Sequence, residues 1–300
     1  MELPEAEFYE KLEEGRARCK LCPQLCLIRP GKVGFCFIRG NREGVLYPLL
    51  FGRVSSAYLD PIEKKPLYYF HPGSTIFSIG GIGCNLRCPW CQNWNIAQPR
   101  DAFPGLDAER VISQFTQELA PERAVELALE YADYDCIGIA YTYNEPFIWL
   151  EYVEAVGQLV KEAGLKNVLV TNGYVEEQPL RKVLPLIDAM NIDIKGFSDE
   201  FYRRVAGRLE PILRTAEISK AAGCHIEITN LVIPGLNDSD EHFSSLVDWI
   251  VDRLGADTPL HFSRYFPNYK LDVGPTPVAT LKRAETIAKA KLHCVHLGNV

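Results

Sequence analysis

From Thr75 onward, short apolar, β-rich runs alternate with helical patterns, and this alternation constrains the fold more than any other feature. The runs fall at 75–81, 136–143, 167–173, 190–196, 225–233, 260–266 and 293–299. The later ones recur at the length of a βα unit. Near-continuous apolar strands separated by helices predict a parallel sheet covered on its outer face. Seven such units predict an α/β fold, a full or partial (β/α) barrel, with an open doubly wound sheet as the alternative. Three helices have readable ends: one with Pro146 at its first position and Gly164 as its stop, one capped by Ser239 and stopped at Gly255, and one capped by Thr276 with Pro277 at its first position. Residues 75–300 form the barrel core in this reading, and residues 1–74 a cysteine-rich N-terminal region with short strands in "GVLYPLLFG" and "VSSAYLD". The opening "MELPEAEFYEKLEEG" reads as an acidic amphipathic helix. The last strand-like run ends at "HLGNV" without a helix to complete its unit.

In a βα barrel, functional residues stand at the carboxyl ends of strands, and polar residues collect there: "GCNLRC", "YNEP", "TNGY", "DIKG", "NLVIPGLND", "SRYFPNY" and "HLGN". The first carries the most chemistry. Cys84, Cys88 and Cys91 lie within eight residues, directly after the first barrel strand. A closed structural zinc site wants four ligands and a disulfide two. Three thiolates at this spacing suit a cubane iron–sulfur cluster with one iron left open. A zinc knuckle lacking a ligand, or three buried thiols, are the competing readings. The nearest histidine, His71, precedes the strand and is badly placed to complete a site.

The chain has 300 residues, 47% hydrophobic and 24% charged, with a formal net charge of −7. That balance fits a globular domain and speaks against wholesale nucleic-acid binding. No apolar run approaches the ~20 residues of a membrane span, and the acidic start is not a secretory signal. A cytoplasmic location is therefore expected, and in a reducing compartment clustered cysteines signal metal rather than disulfides. A second set, Cys19, Cys22, Cys26 and Cys36, has the number of thiolates for a closed metal site, either zinc or a second iron–sulfur cluster. Cys136, Cys224 and Cys294 read as buried bystanders. Between Gly15 and Arg42 stand seven basic residues and no acidic one. This stretch is expected to be a solvated face, and it could dock an acidic electron donor such as a flavodoxin or ferredoxin.

The cysteine triplet, with Trp90 before its last member, resembles the radical S-adenosylmethionine (SAM) superfamily. Further along, "CPQLCLIRPGKVGFCFIRGN", "DPIEKKPLYYFHPGS", "AYTYNEPFIWLEY", "NIDIKGF", "LVIPGLND" and "HFSRYFP" resemble the radical SAM enzymes of the AmmeMemoRadiSam system, relatives of pyruvate formate-lyase activating enzymes. The resemblance implies a [4Fe-4S] cluster on Cys84, Cys88 and Cys91 whose open iron chelates SAM, and a reaction that begins with reductive cleavage of SAM and proceeds by hydrogen abstraction. It implies that Glu145, helped by Asn144, meets the SAM amino group, although the family's paired glycines are missing there. It also implies that Asp193 and Lys195, two apart and so on one strand face, lie near the SAM ribose and carboxylate. Thr171, Asn172 and Asn230 are further pocket candidates, and Gly80, Gly81 and Gly83 would let the backbone approach SAM. Alternation puts His261 and Ser263 on one face and Phe262 and Arg264 on the other, with Tyr265 beyond; which set lines the pocket is open.

Within this reading the substrate is a small molecule or side chain, with activation of a partner protein through a glycyl radical as the alternative. A non-catalytic metal-binding or electron-transfer module is the contrasting class; it requires the strand-end polar groups to be coincidental.

Overall fold

The computed structural model describes residues 2–300. Eight strands form the main sheet: β1 (Ser56–Pro61), β2 (Thr75–Gly80), β3 (Cys136–Tyr141), β4 (Lys166–Thr171), β5 (Ala189–Asp193), β6 (His225–Val232), β7 (Leu260–Arg264) and β8 (Val295–Gly298). They are hydrogen-bonded in sequence order, β2 to β8 all parallel and β1 antiparallel to β2. All seven expected runs are strands, and β1, from the stretch ahead of residue 75, adds an eighth. No ladder joins β1 to β8, so the sheet is a partial barrel.

Residues 62–74 fill the gap and the amino-terminal mouth. Ile62, Leu67 and Phe70 pack on Ile76, Ala140, Val168 and Ala189, which point inward from β2 to β5. Two alanines on those inward faces leave the room that the plug occupies. The larger core lies outside the sheet, beneath the helices.

Helices α1 (Ala108–Phe115), α2 (Pro121–Glu130), α3 (Leu150–Glu162), α4 (Glu177–Val183), α5 (Asp199–Arg204), α6 (Glu210–Ala221), α7 (Asp240–Arg253) and α8 (Val278–Lys289) supply the crossovers. Ser239 caps α7 by accepting from His242 N, and Gly255 and Gly164 follow α7 and α3 with φ of 91° and 73°, as the stop signals predict. Pro146 opens a 3-10 turn that runs into α3. Helix α8 begins after Pro277 rather than at it. Thr276 is not its cap, because its hydroxyl is taken up by Val232 O and Tyr265 N.

The N-terminus corrects another expectation. Residues Tyr9–Lys11 are a strand paired with Ala17–Cys19, not part of a helix. Phe8 and Glu14 adopt φ of 53° and 59°, which an α-helix does not tolerate. Glu10 faces Arg18 and Lys20 across the hairpin, so its charges are matched by cross-strand pairing. "GVLYPLLFG" is a strand only over Val45–Pro48, paired with Arg39–Arg42.

The N-terminal region is fastened to the barrel by a buried ion pair. Arg39, 1% exposed, donates to both Glu151 oxygens on α3, at 3.0 and 2.8 Å, and to Glu7 O; Glu7 N in turn donates to Glu151. Arg39 is therefore not on the basic face expected for this segment. Removing one partner of such a pair leaves an uncompensated buried charge, which costs about 3–5 kcal/mol. Glu151→Ala is expected to lose about that much stability in urea unfolding; a change within about 0.5 kcal/mol would show that the pair does not anchor the region.

Candidate active site

At the carboxyl ends of the strands lies a cavity of about 700 Å³, within the range of small-molecule sites. Cys84, Cys88 and Cys91 form one wall. Their loop is tied down at many points. Gly83 N donates to Ile96 O, Arg87 Nη1 to Cys84 O and Asn85 Nδ2 to Tyr174 O, while Gln98 Nε2 donates to Leu86 O. The N-terminal region adds Gln24 Nε2 to Asn85 O and receives Arg87 at Phe35 O. Trp90 is buried against Phe201. Cys84 Sγ accepts from Leu86 N at 3.4 Å and Asn172 Nδ2 at 3.6 Å.

Burial pushes all three thiols up, Cys88 to about 12. Bare thiolates are thus unfavourable here, and an iron–sulfur core would supply the compensating charge. Among the described residues no three His, Cys, Asp or Glu side chains stand at single-ion spacing. Three cysteines on an open cavity wall, with Lys195 favouring the thiolates of Cys88 and Cys91, fit a polynuclear cluster with room beside it.

The other candidates gather around the same cavity. Asn144, Glu145, Thr171, Asn172, Asp193 and Lys195 all line it. Glu145 is 1% exposed; its Oε1 accepts from Thr171 Oγ1 at 2.7 Å and Phe147 N at 3.0 Å, and its Oε2 from Asn172 N at 2.8 Å. It therefore caps the turn ahead of α3 while keeping one of its four acceptor positions free. Burial raises its carboxyl to about 7 against these three donors. Lys195 Nζ lies 2.9 Å from Asp193 Oδ2. Burial opposes its charge, yet Asp193 and Cys88 raise its pKa.

Other expectations need correction. Gly80, Gly81 and Gly83 do not line the cavity; protein fills the space their missing side chains leave. A Cβ on Gly81 would meet Leu50 at 2.4 Å, one on Gly80 would meet Thr142 O at 2.6 Å, and one on Gly83, at φ 92°, would meet Cys36 O at 2.1 Å. Asn144 bridges this loop, accepting from Gly81 N and donating to Gly83 O. Asn230 turns to the opposite face of β6 and donates to Ile194 O, leaving Thr229 and Leu231 on the cavity. His261 and Ser263 are the cavity set of β7; Arg264 donates to Thr276 O and Tyr265 to Leu271 O, both away from it. Cys136 and Cys224 are buried as expected, whereas Cys294 is half-buried.

Two groups escaped the sequence reading. Asp60, at the end of β1, pairs with the buried Lys65 at 2.7 Å and accepts from Tyr143 Oη at 2.6 Å. Burial works against its charge, but these donors hold its carboxyl well below the usual range. The second is Glu227, a lone carboxylate within the apolar run of β6, bonded to His261. An acid in the middle of an apolar strand was the signal for it; Asp60 opens the motif "DPIEKKPLYYFHPGS", but nothing local marked it as a cavity residue.

Cys19, Cys22, Cys26 and Cys36 surround one small apolar pocket beside Arg39 and Ile148. Phe35 N donates to Cys26 Sγ at 3.3 Å, and burial pushes all four thiols up. Cys36 O lies against Gly83, one residue before Cys84.

A partial (β/α) barrel with three cysteines in the loop after its first parallel strand, above a polar cavity, defines a metal-dependent barrel enzyme. The family model described as the radical SAM superfamily matches residues 78–249, more than half of the chain. The protein belongs to the radical SAM superfamily, enzymes whose general reaction is cleavage of SAM at a [4Fe-4S] cluster. An uncharacterized protein of Methanocaldococcus jannaschii is 45% identical over 300 residues, covering 99% of this chain and 85% of that one. The pyruvate formate-lyase-activating enzyme of Clostridium pasteurianum is 26% identical over 56% of this chain and 66% of its own length. A radical SAM methyltransferase structure from Sphaerobacter thermophilus shares the fold, with a TM-score of 0.55 at 15% identity over 76% of this chain and 67% of that one. No helix among the described residues is long and apolar enough to cross a membrane.

The Gly83–Cys36 contact gives a direct test of the loop. Gly83→Ala puts a side chain where φ is positive and Cys36 O already stands; the backbone strain alone costs about 1–3 kcal/mol. The variant is expected to melt earlier and to retain less iron after anaerobic reconstitution. Wild-type iron content would remove the contact from the account of the loop.

Proposed function

We propose that Cys84, Cys88 and Cys91 hold the [4Fe-4S] cluster and that the cavity beside them takes SAM and then substrate. The observation that carries this is the convergence of three cysteines and six strand-end polar residues on one cavity. The chemistry supplied there is reductive cleavage of SAM to a 5′-deoxyadenosyl radical, which abstracts hydrogen from substrate. Glu145, with one acceptor position free, meets the SAM ammonium. Asn172 and Thr171 fix the Glu145 carboxylate; Asn144 fixes the glycine turn that carries the cysteines. Asp193 and Lys195 bind the polar groups of SAM and hold each other in place when it leaves. The buried wall excludes water from the reacting carbon.

The substrate is a small molecule or a side chain that enters the cavity. The named activating-enzyme relative supports a second reading, activation of a partner protein; deuterium recovered in 5′-deoxyadenosine from a labelled partner, and not from small molecules, distinguishes it. The four N-terminal cysteines hold a second metal centre, zinc or iron–sulfur, and the lack of single-ion spacing among the described residues favours iron–sulfur. The gathering of all four sulfur-bearing side chains around one small pocket supports a metal centre there, as does the Phe35 N–H donated to Cys26 Sγ, since such a donor favours a thiolate ligand. A cytoplasmic setting follows from cysteine chemistry of this kind.

One experiment tests both centres. Reconstituted and reduced wild type is expected to convert SAM to 5′-deoxyadenosine, and a Cys84→Ala, Cys88→Ala, Cys91→Ala variant to form none while keeping metal at the N-terminal set. Product from the triple variant overturns the cluster assignment; a triple variant free of zinc and iron overturns the second centre.

Arg29 and Lys32 are the exposed basic residues of the N-terminal segment without an acidic partner among the described residues. We assign them to docking of an acidic electron donor of the flavodoxin or ferredoxin kind. Arg29→Glu with Lys32→Glu is expected to slow reduction by flavodoxin severalfold at low salt and little at high salt; an unchanged low-salt rate rejects the docking face.

A further inference from the structure

The wall of the cavity formed by β7 carries a group that the cofactor assignment does not use. His261 is only 3% exposed, yet it lines the cavity. Its Nε2 lies 2.7 Å from Glu227 Oε2. Glu227 is fully buried and its two oxygens are saturated. Oε2 also accepts from Tyr68 N at 3.0 Å, while Oε1 accepts from Tyr69 N at 2.8 Å and lies 3.0 Å from His225 Nε2. Burial alone would raise this carboxyl, but the four donors overcome it and hold it at about 2. The carboxylate is therefore charged, and it accepts only.

That fixes the imidazole. A saturated carboxylate has no proton to give, so the hydrogen between it and His261 sits on Nε2. In its neutral form the ring then carries its lone pair on Nδ1. This atom makes no hydrogen bond among the described residues, nor is it among their sealed, unpartnered polar atoms. It opens on the cavity. The ring cannot swing away: Tyr68 packs edge-on at 4.9 Å, and His296, itself 3.0 Å from Tyr69 Oη, stacks at 5.2 Å.

We propose that His261 is the proton acceptor facing the substrate and that Glu227 positions it, so that the substrate presents an O–H or N–H group to β7. This deepens the reading of the cavity as the substrate site and rests on it. In the step, the substrate O–H or N–H bond breaks, the proton goes to Nδ1 and the electron pair stays on the substrate oxygen or nitrogen. The resulting imidazolium is stabilised by the Glu227 carboxylate behind it, as in a carboxylate–histidine pair of acid–base enzymes. No oxidant or reductant enters this step. The charged and titratable groups around the ring are Glu227 and His225 from β6, His296 from β8, Tyr68 and Tyr69 from the plug, and, on the same cavity, the Asp60–Lys65 and Asp193–Lys195 pairs.

The test is nitrogen NMR on holoprotein labelled with ¹⁵N-histidine, with the His261 signals assigned by their loss in His261→Gln. The expected result is a neutral ring protonated at Nε2 and bare at Nδ1, and a loss of that preference in Glu227→Gln. A wild-type ring bearing its proton on Nδ1 overturns the proposal, and an unchanged tautomer in folded Glu227→Gln removes Glu227 from it. Should Glu227→Gln not fold, the wild-type protein still decides through diethyl pyrocarbonate labelling. Label on His261 Nδ1 supports an open lone pair; an unlabelled His261 beside fully labelled, exposed His71 and His293 overturns it. Neither readout needs SAM cleavage, so failure to form 5′-deoxyadenosine would sink the cofactor reading and leave this pairing standing, while a wrong tautomer with intact cleavage would sink this inference alone.

Discussion

Parallel pairing of seven consecutive strands is the constraint on which the rest of the structure depends. A parallel ladder requires every connection to return to the starting edge, so each strand ends on the same rim. Residues far apart in the chain thereby become neighbours: Cys84, Glu145, Thr171 and Asp193 each follow or end a different strand, His261 lies within another, and all meet one cavity. The register does the fine placement. With Asp193 opposite Thr229, and Thr229 opposite His261, one level of the barrel interior is polar across three strands.

Polarity inside the barrel is graded, and the grading has an energetic logic. The amino-terminal mouth is plugged mainly by apolar side chains, and the plug's backbone is bonded to Asn191 and Glu227. Above it, every buried charge is answered: Glu227 by four donors, Asp60 by Lys65, Lys64 and Tyr143, and Glu145 by three donors. Unpaired buried charges would cost several kcal/mol each, so the charges that remain belong to networks that hold them in fixed geometry. Such preorganisation suits a site that must hold a cofactor and a substrate in contact.

The N-terminal region is part of this machinery. The Arg39–Glu151 pair anchors it, Gln24 and the Arg87–Phe35 contact join it to the cysteine loop, and Cys36 occupies the space left by Gly83. A glycine that looks suited to a ligand's approach instead admits another part of the same chain. The four cysteines of this region consequently sit next to the loop of the other three.

The sequence determined the barrel strands, most helix boundaries and the cysteine triplet, because these rest on local patterns: apolar runs, caps, stop glycines and short spacing. It also marked the strand-end polar residues, since such groups are poor packing material wherever they fall. Only the tertiary structure decided which face of β7 and of β6 meets the cavity, because alternation defines two faces without naming the inner one. That is why His261 and Ser263 were separated from Arg264, and Asn230 from Thr229, only by the fold. The N-terminal hairpin defeated a helical pattern because its charges found partners across strands rather than along a helix. Asp60, Lys65 and the Glu227–His261 pair were decided by tertiary structure alone: their partners lie on other strands or beyond a turn, and a buried charge acquires its meaning from what encloses it.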